Sequence, residues 1–120
     1  MHRILIADDY PAVRTALRSF FDKNGFEVCG EAVNGQDAIE KAQEFHPDLI
    51  VLDFCMPVMD GLEASRRLTK LMPDVPLLML TSHVGKVMEE DALKAGIRRI
   101  VAKGESFQRL MDDARELLGD

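Results

Sequence analysis

The segment LIVLDFCMPVMDG, residues 49–61, combines the most strand-like run of the chain with the loop that follows it. Residues 49–52 are all apolar, a pattern typical of a parallel strand that is buried on both faces. Asp53 comes next, so this strand is expected to end in a carboxylate. Because such strands lie in sheets covered by helices on both sides, the segment predicts a domain of the α/β class.

Apolar runs and amphipathic segments alternate on either side of this strand. The predicted strands are Ile4–Ala7, Phe26–Ala32, Leu49–Leu52, Leu77–Leu80 and Ile97–Ala102. The predicted helices cover about residues 11–24, 34–46, 60–72, 84–96 and 107–117, with Pro11 at the first helical position and Asn34 as a cap. This alternation predicts repeated βαβ units with right-handed crossovers around a parallel sheet.

The composition is that of a single soluble domain, which we expect to occupy residues 1–120. The chain is 47% apolar and 30% charged, which excludes a disordered protein. Its net charge of −6 argues against a nucleic-acid-binding surface. No apolar run approaches the roughly 18 residues of a membrane helix. Cys29 and Cys55 lie far apart without CxxC spacing, so a cytoplasmic protein with free thiols is expected.

Polar residues follow four of the predicted strands. These are Asp8 and Asp9 after the first, Asp53 after the third, Thr81 and Ser82 after the fourth, and Lys103 after the fifth. The carboxyl ends of parallel strands form the edge at which open α/β sheets bind ligands. Taken singly, each residue fits a plain structural role, such as a helix cap, a turn acid or a surface amine. Their shared edge favours a functional site.

The chemistry of these residue types indicates phosphoryl transfer. Three neighbouring carboxylates repel one another, and a divalent cation with oxygen ligands relieves that repulsion. Mg²⁺ suits such a site, with Mn²⁺ as the alternative, because it binds one or two carboxylates together with phosphate oxygens and water. Asp53 is a candidate nucleophile, since aspartate forms acyl phosphates. Lys103 and Thr81 are candidates to neutralise the charge of the transferred group.

The sequence resembles the receiver domains of bacterial two-component response regulators over essentially its whole length. The matching segments are LIADD (5–9), LDFCMPVMDG (52–61), LTS (80–82) and VAK (101–103). The pattern Asp-x-x-Met-Pro-x-Met-Asp-Gly, which begins at Asp53, is the most specific of them. The resemblance implies a flavodoxin-like (βα)5 three-layer sandwich with a five-stranded parallel sheet of order 2-1-3-4-5.

The resemblance also implies a metal shell and a phosphoacceptor. Asp53 is implied to accept the phosphoryl group and Asp9 to be a direct metal ligand. Asp8 is implied to act mainly through water, and the backbone carbonyl of Cys55 to complete the protein's share of the shell. Cys55 and His83 occupy positions that flank the phosphoryl group in this family and tune its hydrolysis, although a filler role fits each equally well.

Two departures from the family pattern concern the conformational switch. Thr81 is implied to move toward the phosphoryl oxygens and Lys103 to pair with them. The family usually has an aromatic residue three positions before this lysine, where the chain has Ile100, so coupling to Thr81 is expected to use aliphatic repacking or loop movement. The lysine is usually followed by proline, but here by Gly104, which leaves the conformation of that peptide bond open.

The function implied is that of a phosphorelay switch, which is not an enzyme beyond its own phosphorylation and dephosphorylation. The expected partner is a sensor histidine kinase or a histidine phosphotransfer protein, and the expected output is transcription, as in receivers attached to LuxR-like helix-turn-helix domains. DNA contact is expected only through an effector domain absent from this chain, and no membrane contact is expected. Arg98 and Arg99 fit either a solvated edge or a homodimer contact.

Two other functions fit the sequence less well. A flavodoxin-like module that binds a small molecule would need a phosphate-cradling loop after the first strand, where Asp8 and Asp9 stand instead. A degenerate receiver that acts only as a protein-interaction scaffold is the second alternative. All five positions of the implied active site are filled, which favours the switch.

Overall fold

Strands and helices alternate along the chain, and the computed structural model describes residues 1–82, 85–105 and 107–119. The strands are β1 (Arg3–Ala7), β2 (Glu27–Ala32), β3 (Leu49–Asp53), β4 (Leu77–Thr81) and β5 (Arg99–Ala102). The helices are α1 (Pro11–Lys23), α2 (Gly35–Phe45), α3 (Gly61–Leu71), α4 (Lys86–Lys94) and α5 (Phe107–Leu118). Among the described residues, no helix has the length and apolarity that crossing a membrane requires.

The strands form one sheet in which every neighbouring pair is parallel, in the order β2-β1-β3-β4-β5. The predicted flavodoxin-like fold is thereby confirmed. In the central strands Ile6 lies opposite Val51, which in turn lies opposite Leu78. The winding of the chain reverses between β1 and β3, because β2 lies outside β1 and β4 lies outside β3. Ligands of open α/β sheets bind beyond the strand ends at such a point.

Consecutive strand residues point to opposite sides of the sheet, and helices bury the side chains on both sides. One face packs against α1 and α5, and this core contains Ile4, Ile6, Leu17, Phe21, Val51, Leu78, Leu110 and Met111. The other face packs against α2, α3 and α4, and this core contains Leu5, Ala7, Ala38, Ile50, Leu52, Ala64, Leu68, Met79 and Ala92. The two cores explain why β3 and β4 are buried along their whole length.

Three predicted helix starts are confirmed. α1 begins at Pro11, whose missing N–H costs nothing at the first helical position. The side chain of Asn34 accepts a hydrogen bond from the N–H of Asp37 at 2.7 Å, and that of Asp60 accepts one from the N–H of Glu63 at 2.9 Å. Each cap satisfies a backbone donor that the helix leaves unpaired, and such caps contribute about 1 kcal/mol.

The predicted fifth strand was two residues too long at its start. β5 begins at Arg99, and Ile97 instead closes the end of α4, where its N–H donates to the carbonyl of Ala92 at 3.0 Å. Gly96, with a φ of 97°, turns the chain so that the buried Ile97 packs back beneath the helix. The predicted start of the fourth helix, at residue 84, lies outside the described residues.

Gly61 allows α3 to begin directly beneath the end of β3. Its N–H donates to the carbonyl of Phe54 at 2.8 Å, which closes the loop after Asp53. A Cβ atom at position 61 would lie 2.1 Å from the carbonyl oxygen of Asp53, a distance that backbone atoms cannot tolerate. The glycine of the sequence motif is therefore needed for a close approach of two backbone segments.

Replacing Gly61 by alanine is expected to lower the free energy of unfolding by about 1–3 kcal/mol, the usual cost of overpacking, because the end of β3 must shift. Urea denaturation measures this change. Gly104→Ala is the matched control, since a Cβ there meets nothing within 4 Å. Equal stabilities of the two variants would contradict the steric argument.

Candidate functional site

Three carboxylates meet where β1 and β3 end. Asp8 directly follows β1, and Asp53 is the last residue of β3. The pairing of Ala7 with Leu52 in adjacent strands places these two acids side by side. One carboxylate oxygen from each of Asp8, Asp9 and Asp53 lies within 4.8 Å of the others. Asp8 and Asp53 are buried and Asp9 is exposed, so the cluster opens to solvent on one side and is able to hold a divalent cation.

Lys103 reaches this cluster from the end of β5, the strand at one edge of the sheet. Its Nζ lies 3.0 Å from Oδ2 of Asp8 and 3.3 Å from Oδ2 of Asp53. The residue follows β5 directly, and its N–H donates to the carbonyl of Thr81 at 2.7 Å. The peptide bond to Gly104 is trans. The ends of four strands thus bring together the residues that the sequence predicted to share one edge.

The Asp8 residue is held at each of its polar groups. Its N–H donates to the carbonyl of Ala32 in β2 at 3.0 Å. Its carboxylate accepts hydrogen bonds from the N–H of Tyr10 at 2.9 Å and from Lys103. Its carbonyl accepts one from Nη1 of Arg14 at 2.7 Å. Asp8 is therefore the most firmly positioned of the three acids.

The charges of the cluster shift two pKa values. Burial, followed by the neighbouring charge of Asp8, raises the pKa of Asp53, although Lys103 opposes this shift. Burial lowers the pKa of Lys103, but the hydrogen bonds and charges of Asp8 and Asp53 outweigh it and leave that pKa above its usual value. The single ammonium of Lys103 therefore lies beside two carboxylates, and a divalent cation would supply the positive charge that the lysine alone does not.

The cluster lies in a cleft of about 440 Å³, lined by Asp9, Tyr10, Val13, Asp53, Cys55, Ser82 and Lys103. Thr81 is buried as the last residue of β4. Ile100 is half-buried opposite Met79 and packs against the core beneath α2, α3 and α4. His83 lies outside the described residues. Of the predicted site residues, Asp9, Asp53, Cys55 and Lys103 therefore line the cleft, whereas Asp8 and Thr81 are buried and Ile100 packs against the core.

Sequence reasoning missed two residues that contact the site. Tyr10 contributes its backbone N–H, and Arg14 contributes its guanidinium, both to Asp8. Any residue other than proline supplies the first contact, so no sequence signal marks it. The second contact has no sequence signal either, because its acceptor is a backbone carbonyl, which every residue carries.

Known proteins resemble this chain both in structure and in sequence. A solved two-component response regulator of the LuxR family, from Aurantimonas sp. SI85-9A1, superposes with a TM-score of 0.94 at 28% identity, over 99% of this chain and 86% of that chain. The chemotaxis protein CheY of Thermotoga maritima is 36% identical over 110 residues, which cover 92% of each protein. A Pseudomonas aeruginosa protein that carries the name of a transcriptional regulator is 39% identical over 118 residues, or 98% of this chain and 57% of that protein.

The profile of the response regulator receiver domain matches residues 4–115. The chain belongs to this family of signalling proteins, which confirms the resemblance drawn from the sequence motifs. It spans little more than half the length of the Pseudomonas relative, but nearly the whole of the Thermotoga one.

Replacing Asp53 by asparagine is expected to stabilise the metal-free protein at pH 7, because it removes a buried charge that Asp8 repels. A gain of about 1 kcal/mol raises the thermal midpoint by roughly 3–6 °C in a domain of this size. The folded protein retains the Asp53 proton to a higher pH than the unfolded chain, so the stability of the parent falls as the pH rises above the ordinary carboxyl value of 3.8. The gain should therefore vanish near that pH.

Calorimetry in the presence of a chelator, at pH 4 and pH 7, measures this difference. Asp74→Asn is the matched control, because Asp74 is exposed and precedes β4 at the opposite edge of the sheet. An Asp53→Asn protein that unfolds at or below the parent's midpoint at pH 7 would mean that the pairing with Lys103 outweighs burial and repulsion.

Proposed function

We propose that this chain is a phosphorylation switch in which Asp53 accepts a phosphoryl group from a phosphohistidine. The observation that carries the proposal is the meeting of three carboxylates within 4.8 Å, with the ammonium of Lys103 at 3.3 Å from Asp53. The cleft beside Asp53 gives a donor access to this side chain. Separate structural roles for these residues give no reason for all of them to share one edge of the sheet.

In the proposed step, a carboxylate oxygen of Asp53 attacks the phosphorus atom of the donor. The P–N bond breaks, the electron pair leaves with the imidazole nitrogen, and Asp53 becomes an acyl phosphate. Lys103 counters the burial of Asp53 and so favours the ionised, nucleophilic form. Its ammonium then pairs with a phosphoryl oxygen, and the hydroxyl of Thr81 donates to another.

The donor set fits Mg²⁺, with Mn²⁺ as the alternative. Asp8, Asp9 and Asp53 would hold the ion together with the backbone carbonyl of Cys55. When bound, the ion supplies positive charge to the phosphoryl oxygens. Asp9 is the exposed member and is suited to direct ligation, whereas Asp8 is already bound to Lys103 and is suited to contact through water.

Phosphorylation would convert a local change of charge into a change of shape. The phosphoryl group adds about −1.5 to −2 charges beside Lys103, which then exchanges its contact with Asp8 for one with phosphate. Movement of Thr81 toward the same group would loosen the packing of Ile100 in the neighbouring strand. The side chains of Cys55 and His83 are proposed to tune the hydrolysis of the acyl phosphate.

A histidine kinase or a histidine phosphotransfer protein is the proposed donor, and the proposed setting is the cytoplasm. The likeness to a LuxR-family response regulator and to a protein named as a transcriptional regulator supports transcription as the output, through an effector domain on the same polypeptide. The likeness to the chemotaxis protein CheY of Thermotoga maritima supports a role in chemotaxis as the alternative. The receiver chemistry is the same in both.

Labelling with radioactive acetyl phosphate and MgCl₂ tests the function directly. The parent and Asp74→Asn are expected to take up alkali-labile label, and Asp53→Asn is expected to take up none. Lys103→Ala is expected to be labelled at least about tenfold more slowly, since it lacks a charged group that pairs with the phosphoryl oxygens.

A chelator should abolish labelling of the parent. Equal labelling of Asp53→Asn and the parent would overturn the assignment of the phosphoacceptor. If the parent took up no label from acetyl phosphate or from any histidine kinase, the protein would instead be a receiver that acts as a scaffold.

A further inference from the structure

The guanidinium of Arg14 bridges two neighbouring strands at the edge of the site. Nη1 donates to the carbonyl oxygen of Asp8 at 2.7 Å, and Nε donates to the carboxylate of Glu31 at 3.2 Å. The Arg14 side chain is only 16% exposed, so both contacts lie largely out of water. Neither contact is part of the carboxylate cluster, and the phosphoryl transfer described above uses neither.

The carbonyl of Asp8 controls the direction of Asp9. The Asp8 carbonyl and the Asp9 nitrogen belong to one planar peptide unit, so a donor on that oxygen fixes the plane from which the Asp9 side chain departs. Within the described residues, no hydrogen bond or ion pair holds the Asp9 carboxylate. Its position relative to Asp53 therefore depends on the backbone that Arg14 holds.

Glu31 keeps the guanidinium of Arg14 in place. This residue lies in β2 opposite Ile6 of β1, two residues before Asp8. Its carboxylate also accepts a hydrogen bond from Nε of Arg18 at 2.7 Å. Arg14 is thus anchored to β2 by Glu31 while it binds the loop that follows β1 through the carbonyl of Asp8.

We propose that Arg14 is a positioning residue that aims Asp9 at the divalent cation through the carbonyl of Asp8. This inference rests on the proposed function, because it takes Asp8, Asp9 and Asp53 to be the cation site. Charge alone predicts the opposite effect, since removing a positive group from the edge of a cation site strengthens cation binding. Positioning predicts weaker binding, and the sign of the change separates the two.

The test compares R14Q with R18Q in the full chain, titrated with MgCl₂ alone and followed by the amide signals of Asp9 and Tyr10 in NMR spectra. R14Q is expected to bind Mg²⁺ about tenfold more weakly than the parent, the usual cost of losing a group that orients a ligand. R18Q also removes one positive charge beside the carboxylate of Glu31, but it leaves the contact of Arg14 with the Asp8 carbonyl intact. R18Q should therefore bind Mg²⁺ like the parent. Before Mg²⁺ is added, the amide nitrogen of Asp9 should shift in R14Q and not in R18Q.

R14K gives a second test, which also serves if R14Q does not fold. It retains the charge, but its single ammonium nitrogen cannot reproduce the two-point contact of the guanidinium, so weaker Mg²⁺ binding is again expected. Parent-like affinity in R14K or R14Q, tighter binding in R14Q, or equal weakening in R14Q and R18Q would each overturn the inference alone. A parent that binds no Mg²⁺ would overturn the proposed function and this inference with it.

Discussion

Mutual repulsion among three carboxylates is the constraint on which the rest of the site depends. Adjacent parallel strands hold Asp8 and Asp53 side by side, and their oxygens and one of Asp9 lie within 4.8 Å of one another. Because Lys103 is shared between two of the acids, its single charge leaves the cluster negative. The fold therefore maintains an unbalanced charge at the point where its sheet changes winding direction, and a divalent cation with oxygen ligands would relieve the repulsion among these acids.

The apolar layers of the protein hold this unfavourable arrangement together. Packing on both faces of β3 fixes the strand up to Asp53, and Gly61 lets α3 close the loop directly beneath it. The raised pKa of Asp53 shows that the folded state bears a cost at this position, as functional sites often do. The two apolar cores stabilise the protein, and the buried, mutually repelling carboxylates at the strand ends lower its stability.

The sequence was enough to predict the fold and the meeting of Asp53 with Lys103, because unbroken apolar runs identify buried parallel strands whose ends share an edge. It was not enough to predict that Lys103 lies between Asp8 and Asp53, since this depends on side-chain conformation. Ile97 was wrongly predicted to begin the fifth strand, because an apolar residue fits the start of a strand and the end of a helix equally well. The contact of Arg14 was missed because a backbone carbonyl, as an acceptor, has no sequence signature.

The single tyrosine of the chain has an optical consequence. There is no tryptophan, so Tyr10 dominates the intrinsic ultraviolet emission of the protein, to which the six phenylalanines add little. The residue is 66% exposed and directly follows Asp9, and its N–H donates to the carboxylate of Asp8. The protein thus carries its main native fluorophore beside the carboxylate cluster, and most of the light emitted by the unlabelled molecule comes from the surroundings of that one cleft.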